Sequence, residues 1–99
     1  MSVRLVVDVR VEGGTEGELT RAYSELVARA VEEPGLIAHQ LCQSVDEPDR
    51  WLVISEWRSL EESMAWDRSE VHGRLLAPMR ACFAHATRAA FEVRDGVVR

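Results

Sequence analysis

Residues 36–57 read LIAHQLCQSVDEPDRWLVISEW, and the predicted fold rests on this stretch. Two segments rich in apolar residues, 36–45 and 51–57, flank the sequence DEPDR, whose Asp and Pro residues favour a turn. A connection this short joins antiparallel neighbours. The stretch therefore predicts a hairpin made of the second and third strands of a sheet.

The segment before the hairpin has the pattern of a strand followed by a helix. Apolar residues occupy every second position of 3–11, which is typical of a strand with one buried face, and Gly13-Gly14 ends it. Thr15 and Glu18 have the form of a capping box. Apolar residues then recur at helical spacing up to Pro34-Gly35, which predicts a helix of about 17 residues.

The segment after the hairpin predicts a second helical region. Ser59 and Glu62 form another capping-box pattern, and helical spacing continues to about Phe83. We expect a break near Ser69 and strain at Pro78, which cannot donate a backbone hydrogen bond. The helical region is followed by one more segment of strand character.

Residues 86–94, ATRAAFEVR, are the predicted fourth strand, and GVVR is a tail. The order βαββαβ is typical of the ferredoxin-like α+β fold, a four-stranded antiparallel sheet with helices on one face. The other sheet face has no helix to cover it, yet on the first strand it carries Val6. We therefore expect a homodimer in which the uncovered faces of two copies pack together.

Length and composition narrow the possible functions. The 99 residues suit a single domain, 1–99, with a core of about residues 3–94. The net charge of -5, without a basic cluster, argues against nucleic acid as a partner. No apolar run approaches the roughly 20 residues needed to cross a bilayer, so we expect no membrane association and a cytoplasmic protein. In that reducing setting Cys42 and Cys82 are expected to be free, buried thiols.

Motifs for common cofactors and metals are missing. Gly13-Gly14 lacks the remaining glycines of a nucleotide fingerprint, and no G-x-S-x-G motif marks a nucleophile. Every basic residue is arginine, so lysine chemistry is excluded. His39 and Cys42 point to opposite faces of a strand, and Cys82 with His85, even if both lie on a helix, supplies only two ligands. We predict no bound cofactor and no metal site.

Two histidines stand in apolar surroundings. Helical phase places His72 within an apolar arc, so it faces the sheet. His39 lies in mid-strand, on the predicted face of Ile37 and Leu41. Each is either a core histidine bonded to a backbone carbonyl or a polar group in a pocket that binds a substrate oxygen or takes a proton. The apolar residues of the His72 arc are Val71, Leu75, Leu76, Met79, Cys82 and Phe83.

Three tryptophans are candidates for an aromatic binding site. Trp57 ends the third strand and shares a face with Trp51; such residues either pack in the core or form a flat wall for an aromatic ligand. Trp66 lies about 120° from the stripe of Leu60 and Met64 on its helix. It is therefore either a subunit contact or a residue at the rim of a pocket.

Residues 34–72 resemble the antibiotic biosynthesis monooxygenase domain of the dimeric α+β barrel superfamily. The shared features are Pro34-Gly35 before the second strand, a third strand that ends in Trp57, a short helix, and His72 about fifteen positions farther on. The resemblance covers nearly the whole chain, about residues 3–94.

The resemblance implies a small homodimer that oxidises a phenolic or anthrone-type polyketide intermediate to a quinone. Molecular oxygen would be the co-substrate, without flavin, haem or metal. By the same resemblance His72 would deprotonate the substrate or hydrogen-bond its oxygen, and Trp57 would stack on it or bound it. His39, Trp66 and Trp51 are the further candidates for substrate binding.

Two positions depart from the better-defined branches of that family. Val53 stands where the quinone-forming branch has an asparagine, and Leu76 stands where the haem-degrading branch has an iron-binding histidine. Haem degradation is therefore disfavoured. Two alternatives stay open: a non-oxidative polyketide cyclase or aromatase, and a non-catalytic dimeric ligand-binding or stress-response protein in which Trp57 and His72 only pack.

Overall fold

Four antiparallel strands form one sheet in the order β2-β3-β1-β4, with three helices, in a computed structural model that describes residues 1–99. The predicted ferredoxin-like α+β fold is confirmed. The strands are β1 Val3–Val11, β2 Leu36–Gln43, β3 Arg50–Trp57 and β4 Phe83–Glu92, and the helices are α1 Glu16–Ala30, α2 Leu60–Asp67 and α3 Glu70–Arg80.

The core lies between the sheet and the helices. β1 pairs with both β3 and β4, so its helix-facing residues are surrounded on all sides and most are buried. Leu19 and Leu26 of α1 and Met79 of α3 pack into the same core. The buried residues of β1 are Val3, Leu5, Val9 and Val11.

The second helical region is two helices, broken where the sequence predicts. Ser69 begins α3, because its side-chain oxygen accepts a hydrogen bond from the backbone N–H of His72 at 3.1 Å. Ser59 likewise begins α2, accepting from the N–H of Glu62 at 3.2 Å. The capping box predicted at Thr15 is absent, since its hydroxyl donates to the Glu12 carbonyl at 2.7 Å instead.

The boundary between α3 and β4 differs from the prediction. Phe83 is the first residue of β4 and pairs with Val11, so β4 starts three residues before the expected position 86. Phe83 packs against the core as a strand residue. An apolar residue at the end of a helix would also face the core, so apolar spacing alone does not distinguish helix from strand here. His85 therefore lies in a strand, and it does not share a helix with Cys82.

A bulge in β2 changes which residues face the helices. Leu36 pairs with Trp57, whereas Ala38 pairs with Glu56, so Ile37 has no partner of its own on β3. Leu36 packs against the core and Ile37 is 53% exposed. The expectation that Ile37 shares the face of His39 is therefore wrong; Leu36 takes that place.

The sheet face opposite the helices has no protein layer on it. Val6 lies at its centre, opposite Ile54 of β3 and Ala89 of β4, and Phe91 nearby is 55% exposed. Ion pairs flank this apolar strip, including Asp8 with Arg50 and Arg4 with Glu56.

No helix is long and apolar enough to cross a membrane.

Both cysteines are free thiols, as predicted. Cys82 is buried as expected, whereas Cys42 is only half-buried, so its expected burial was wrong. Cys42 pairs with Leu52, which places it on the uncovered sheet face rather than in the core.

Gly35 is needed because the chain passes close to α2. A Cβ at this position would lie 2.7 Å from the Cβ of Glu62, closer than real side chains approach. The Gly35 carbonyl also accepts the backbone N–H of Arg58 at 2.8 Å, which ties the start of β2 to the end of β3. The Pro-Gly pattern thus has a steric basis.

Gly35→Ala should destabilise the protein by about 1–3 kcal/mol, because backbone or α2 must move to admit the methyl group. Gly73→Ala is the matched control, since a Cβ there meets nothing within 4 Å. In mid-helix this control should gain up to about 1 kcal/mol. Urea denaturation measures both; equal stabilities of the two variants would contradict the steric argument.

Candidate active site

A cavity of about 570 Å³ lies between the sheet and the helix layer. Its volume is in the range of small-molecule sites. The helix layer does not extend over β4, whose residues after Phe83 are all exposed, so the cavity opens on that side. Apolar lining residues include Leu5, Val7, Val53, Trp57, Leu76 and Met79; the polar ones include His39, Ser55, Asp67, His72, Arg80 and Arg88.

His72 reaches this cavity from the first turn of α3. The predicted inward direction is observed, and its side chain is only 13% exposed. Its Nδ1 lies 3.2 Å from the backbone carbonyl oxygen of Asp67. A carbonyl can only accept, so Nδ1 carries the proton and donates it. Nε2 is then the basic nitrogen of the neutral ring.

The electrostatic surroundings keep His72 neutral at neutral pH. Burial lowers its pKa, and the positive charges of Arg80 and Arg88 act in the same direction. The Asp67 carboxylate, with Oδ1 3.8 Å from Nδ1, partly offsets this effect. His72 is therefore an unprotonated base beside a carboxylate that would stabilise its imidazolium form.

His39 enters the cavity from the sheet, on β2. It pairs with Ser55 of β3, and its Nδ1 lies 2.9 Å from the hydroxyl of Tyr23 on α1. Burial, with a smaller repulsion from His72, lowers the pKa of His39 to about 4. The ring is therefore neutral throughout the physiological range and is suited to hydrogen bonding rather than to proton uptake.

Trp57 and Trp66 both line the cavity. Trp57 is 1% exposed, and its Nε1–H donates to the Ser55 hydroxyl at 3.0 Å, which holds the indole in place. Trp66 is 5% exposed and contacts the His72 ring edge-on, with ring centroids 5.2 Å apart. The Arg29 guanidinium lies 5.6 Å from the Trp66 ring. Of the two positions considered for Trp66, the structure places it at the pocket.

Trp51 does not line this cavity. It is buried in the core at the opposite end of β3, and its Nε1–H donates to the Pro48 carbonyl at 3.1 Å. Trp57 is six positions farther along the strand, a distance of about 20 Å. Sharing a sheet face with Trp57 therefore does not bring Trp51 to the pocket.

Several polar residues that line the cavity or contact its lining were not identified from the sequence. Asp67 and Arg88 meet at the mouth, 3.5 Å apart, and connect α2 with β4. Tyr23 was treated only as part of an apolar helix stripe, although a phenol within such a stripe needs a partner for its hydroxyl. No sequence signal links either pair, because each joins elements that are distant along the chain.

The arrangement holds no cluster of three or more His, Cys, Asp or Glu residues able to bind a metal ion. What it does offer is a neutral base, a neutral hydrogen-bonding histidine and large apolar walls in one cavity. Such a site can bind a planar aromatic molecule and remove a proton from it.

Sequence comparison relates the chain to proteins of streptomycetes. The sequence profile of the antibiotic biosynthesis monooxygenase family matches residues 2–77. Protein SchA of Streptomyces halstedii is 40% identical over 77 residues, which is 78% of this chain and 20% of that protein. Polyketide synthase CurD of Streptomyces cyaneus is 34% identical over 99 residues, all of this chain and 25% of that protein. The chain thus spans a quarter or less of these curated relatives.

Solved structures share the fold at low sequence identity. SnoaB of Streptomyces nogalater, described as a cofactor-independent oxygenase, superposes with a TM-score of 0.86 at 17% identity, covering 99% of this chain and 98% of that one. A conserved protein from Methanosarcina mazei gives a TM-score of 0.89 at 16% identity, covering 95% and 94%. Identities this low establish the common fold alone.

The lowered pKa of His39 predicts a loss of stability in acid. The unfolded chain takes up a proton near pH 6.5 and the folded chain only near pH 4, so stability falls as the pH decreases between these values. From pH 6.5 to 5 the wild type should lose about 1 to 2 kcal/mol more than His39→Gln. Urea denaturation at several pH values measures the difference. If the stabilities of the wild type and His39→Gln fell by the same amount with pH, the prediction would be refuted.

Proposed function

This chain belongs to the antibiotic biosynthesis monooxygenase family, and we propose that it oxidises a phenolic or anthrone-type polyketide intermediate to a quinone with molecular oxygen. The observation that carries the proposal is the apolar cavity with two neutral histidines, one on the sheet and one on α3. Polyketide synthase CurD among the relatives and the cofactor-independent oxygenase SnoaB among the fold neighbours support the substrate and reaction class.

The first step is proton removal by His72. Its Nε2 takes a proton from the substrate, and the nearby Asp67 carboxylate stabilises the imidazolium that forms. The apolar inner walls reduce the contact of the resulting electron-rich anion with water. Trp57, held by Ser55, provides a flat surface against which a planar ring can lie.

Oxygen then completes the reaction. The substrate anion gives one electron to O2, and the substrate radical and superoxide combine to form a C–O bond. The peroxide takes up the proton held by His72. Loss of the remaining proton from that carbon breaks the O–O bond, releases water and leaves the quinone carbonyl. One methylene and one O2 thus give one carbonyl and one water, with the substrate as the source of all electrons.

Val53 shapes this site in a way that differs from the quinone-forming branch. It lies on the helix-facing side of β3, between Leu41 and Val7, and its side chain lines the cavity. The sheet wall is therefore apolar where that branch has an amide. In this chain the polar contacts to substrate come from His39 and His72, on either side of the apolar wall.

The homodimer belongs to the same proposal. The uncovered sheet face presents an apolar strip centred on Val6 and Ile54, which a second copy of the chain would cover. Pairing of these faces would leave the cavity free, because it lies on the helix side of the sheet. We also place the protein in the cytoplasm, where Cys42 and Cys82 would stay reduced.

Purified protein mixed with an anthrone-type phenol should consume oxygen and form quinone above the spontaneous rate. His72→Ala should lower the rate by at least about 100-fold while the protein stays folded, because the base is lost. Arg74→Ala, on the exposed side of the same helix, is the matched control and should keep wild-type activity. Oxygen uptake and quinone absorbance are the measurements.

The same assay separates the alternatives. Product formed equally with and without air would replace the oxygenase with a non-oxidative cyclase or aromatase. Failure to bind any phenolic ligand would favour the non-catalytic alternative, a dimeric ligand-binding or stress-response protein. In that protein Trp57 and His72 would have only a packing role. Wild-type rates in His72→Ala would remove His72 from the mechanism.

Sedimentation should show a species of twice the chain mass at micromolar concentration. Ile54→Asp should shift it to the monomer, because a charge at the centre of the strip opposes burial. Val45→Asp is the control, since Val45 is 97% exposed in the turn between β2 and β3 and should not affect assembly. A monomeric wild type would contradict the proposed homodimer.

A further inference from the structure

Tyr23 forms a hydrogen-bonded pair with His39, one of the residues that line the cavity. The Tyr23 hydroxyl oxygen lies 2.9 Å from His39 Nδ1, and the rings are 5.4 Å apart at an angle of 51°. Tyr23 is on α1 and His39 on β2, so the bond connects the helix layer with an edge strand of the sheet. Nothing in the proposed chemistry so far uses Tyr23.

The other ring nitrogen of His39, Nε2, is not fully buried. Nε2 has no hydrogen-bond partner in the protein, and no fully buried side-chain nitrogen or oxygen lacks a partner. Nε2 is therefore accessible, and the cavity that His39 lines is the space it can face. A ligand there can meet either an N–H donor or a bare nitrogen, depending on the tautomer.

The identity of its partner selects the tautomer of His39. In a neutral imidazole one nitrogen donates and the other accepts. A phenol is a strong donor and a weak acceptor, and the Tyr23 hydroxyl has no other hydrogen bond within the protein. The favoured arrangement has the hydroxyl donating to Nδ1, which leaves the ring proton on Nε2.

His72 is held in the opposite tautomer. Its Nδ1 faces the Asp67 carbonyl oxygen, which can only accept, so its Nε2 is bare. The phenol of Tyr23 at Nδ1 of His39 therefore leaves an N–H donor at Nε2 of that ring. The carbonyl of Asp67 at Nδ1 of His72 leaves an acceptor at Nε2 of the other ring.

We propose that Tyr23 is a positioning residue that holds His39 as an Nε2–H donor toward a substrate oxygen, while His72 presents the bare nitrogen that takes the substrate proton. His39 then stabilises the phenolate that His72 creates. This inference rests on the proposed binding of a phenolic substrate in the cavity. It assigns donor and acceptor to separate residues and adds a third residue, on α1, to the site.

The tautomers can be read without substrate. In histidine-labelled protein, ¹⁵N NMR should show His39 protonated at Nε2 and bare at Nδ1, and His72 the reverse. In Tyr23→Phe the His39 Nδ1 signal should move to the position of a nitrogen that accepts no hydrogen bond, while the His72 signals stay. A proton on Nδ1 of His39 in the wild type would overturn the proposal.

Ligand binding tests the donor role with 1,8-dihydroxyanthraquinone, an air-stable phenolic probe. Under argon, Tyr23→Phe and His39→Ala should each bind it about five- to tenfold more weakly than the wild type, as expected for loss of one hydrogen bond. His39→Gln, which can still offer an N–H, should recover part of the affinity. Thr20→Val, which removes an exposed hydroxyl from the same helix, should bind normally.

These outcomes separate this inference from the proposed function. If binding of the probe depends on Tyr23 but no quinone forms from an anthrone, the role of Tyr23 and His39 as the donor pair stands and the oxygenase proposal fails. If quinone forms and Tyr23→Phe matches the wild type in probe affinity and KM, the donor pair is wrong and the oxygenase proposal stands. No probe binding by the wild type would also overturn the donor assignment.

Discussion

The unequal coverage of the sheet is the constraint on which the rest of the structure depends. The helix layer leaves β4 bare, although β4 pairs along its length with the central strand β1. The helices therefore cover the sheet on the β3 side of β1 and leave it uncovered on the β4 side. The opening becomes a cavity whose inner walls are core residues such as Leu5 and Met79 and whose mouth is polar. The site is thus an edge of the core itself.

Burial at this edge determines the protonation of both histidines. Each ring is partly removed from water, which lowers the pKa of His39 and of His72. The second influence is the hydrogen-bond partner of Nδ1, Tyr23 for one ring and the Asp67 carbonyl for the other. Desolvation makes the two residues neutral, and the partners make them different from each other.

In this chain the cavity combines an apolar sheet wall with two histidines. Val53 contributes an apolar surface to the wall, and His39 of β2 and His72 of α3 are the histidines that the proposed chemistry uses. The chain corresponds to a quarter or less of its curated relatives, so in those proteins the same fold is joined to other sequence.

Periodicity and turn chemistry were sufficient to predict the element order, the hairpin at residues 46–50, the break at Ser69 and the inward direction of His72. These features depend on neighbours within a few residues along the chain, which is the range that sequence patterns describe. The bulge at Ile37 and the early start of β4 were missed, because they are set by pairing with β3 and β1.

Only the tertiary structure could show which candidates meet. Trp57 and Trp66 reach one cavity whereas Trp51 lies at the other end of its strand, and Tyr23 meets His39 across the helix–sheet interface. The sequence by itself determined the apolar faces, and with them the fold and the candidate residues. The distances between those residues depend on how separate elements pack, and no local pattern in the chain records that packing.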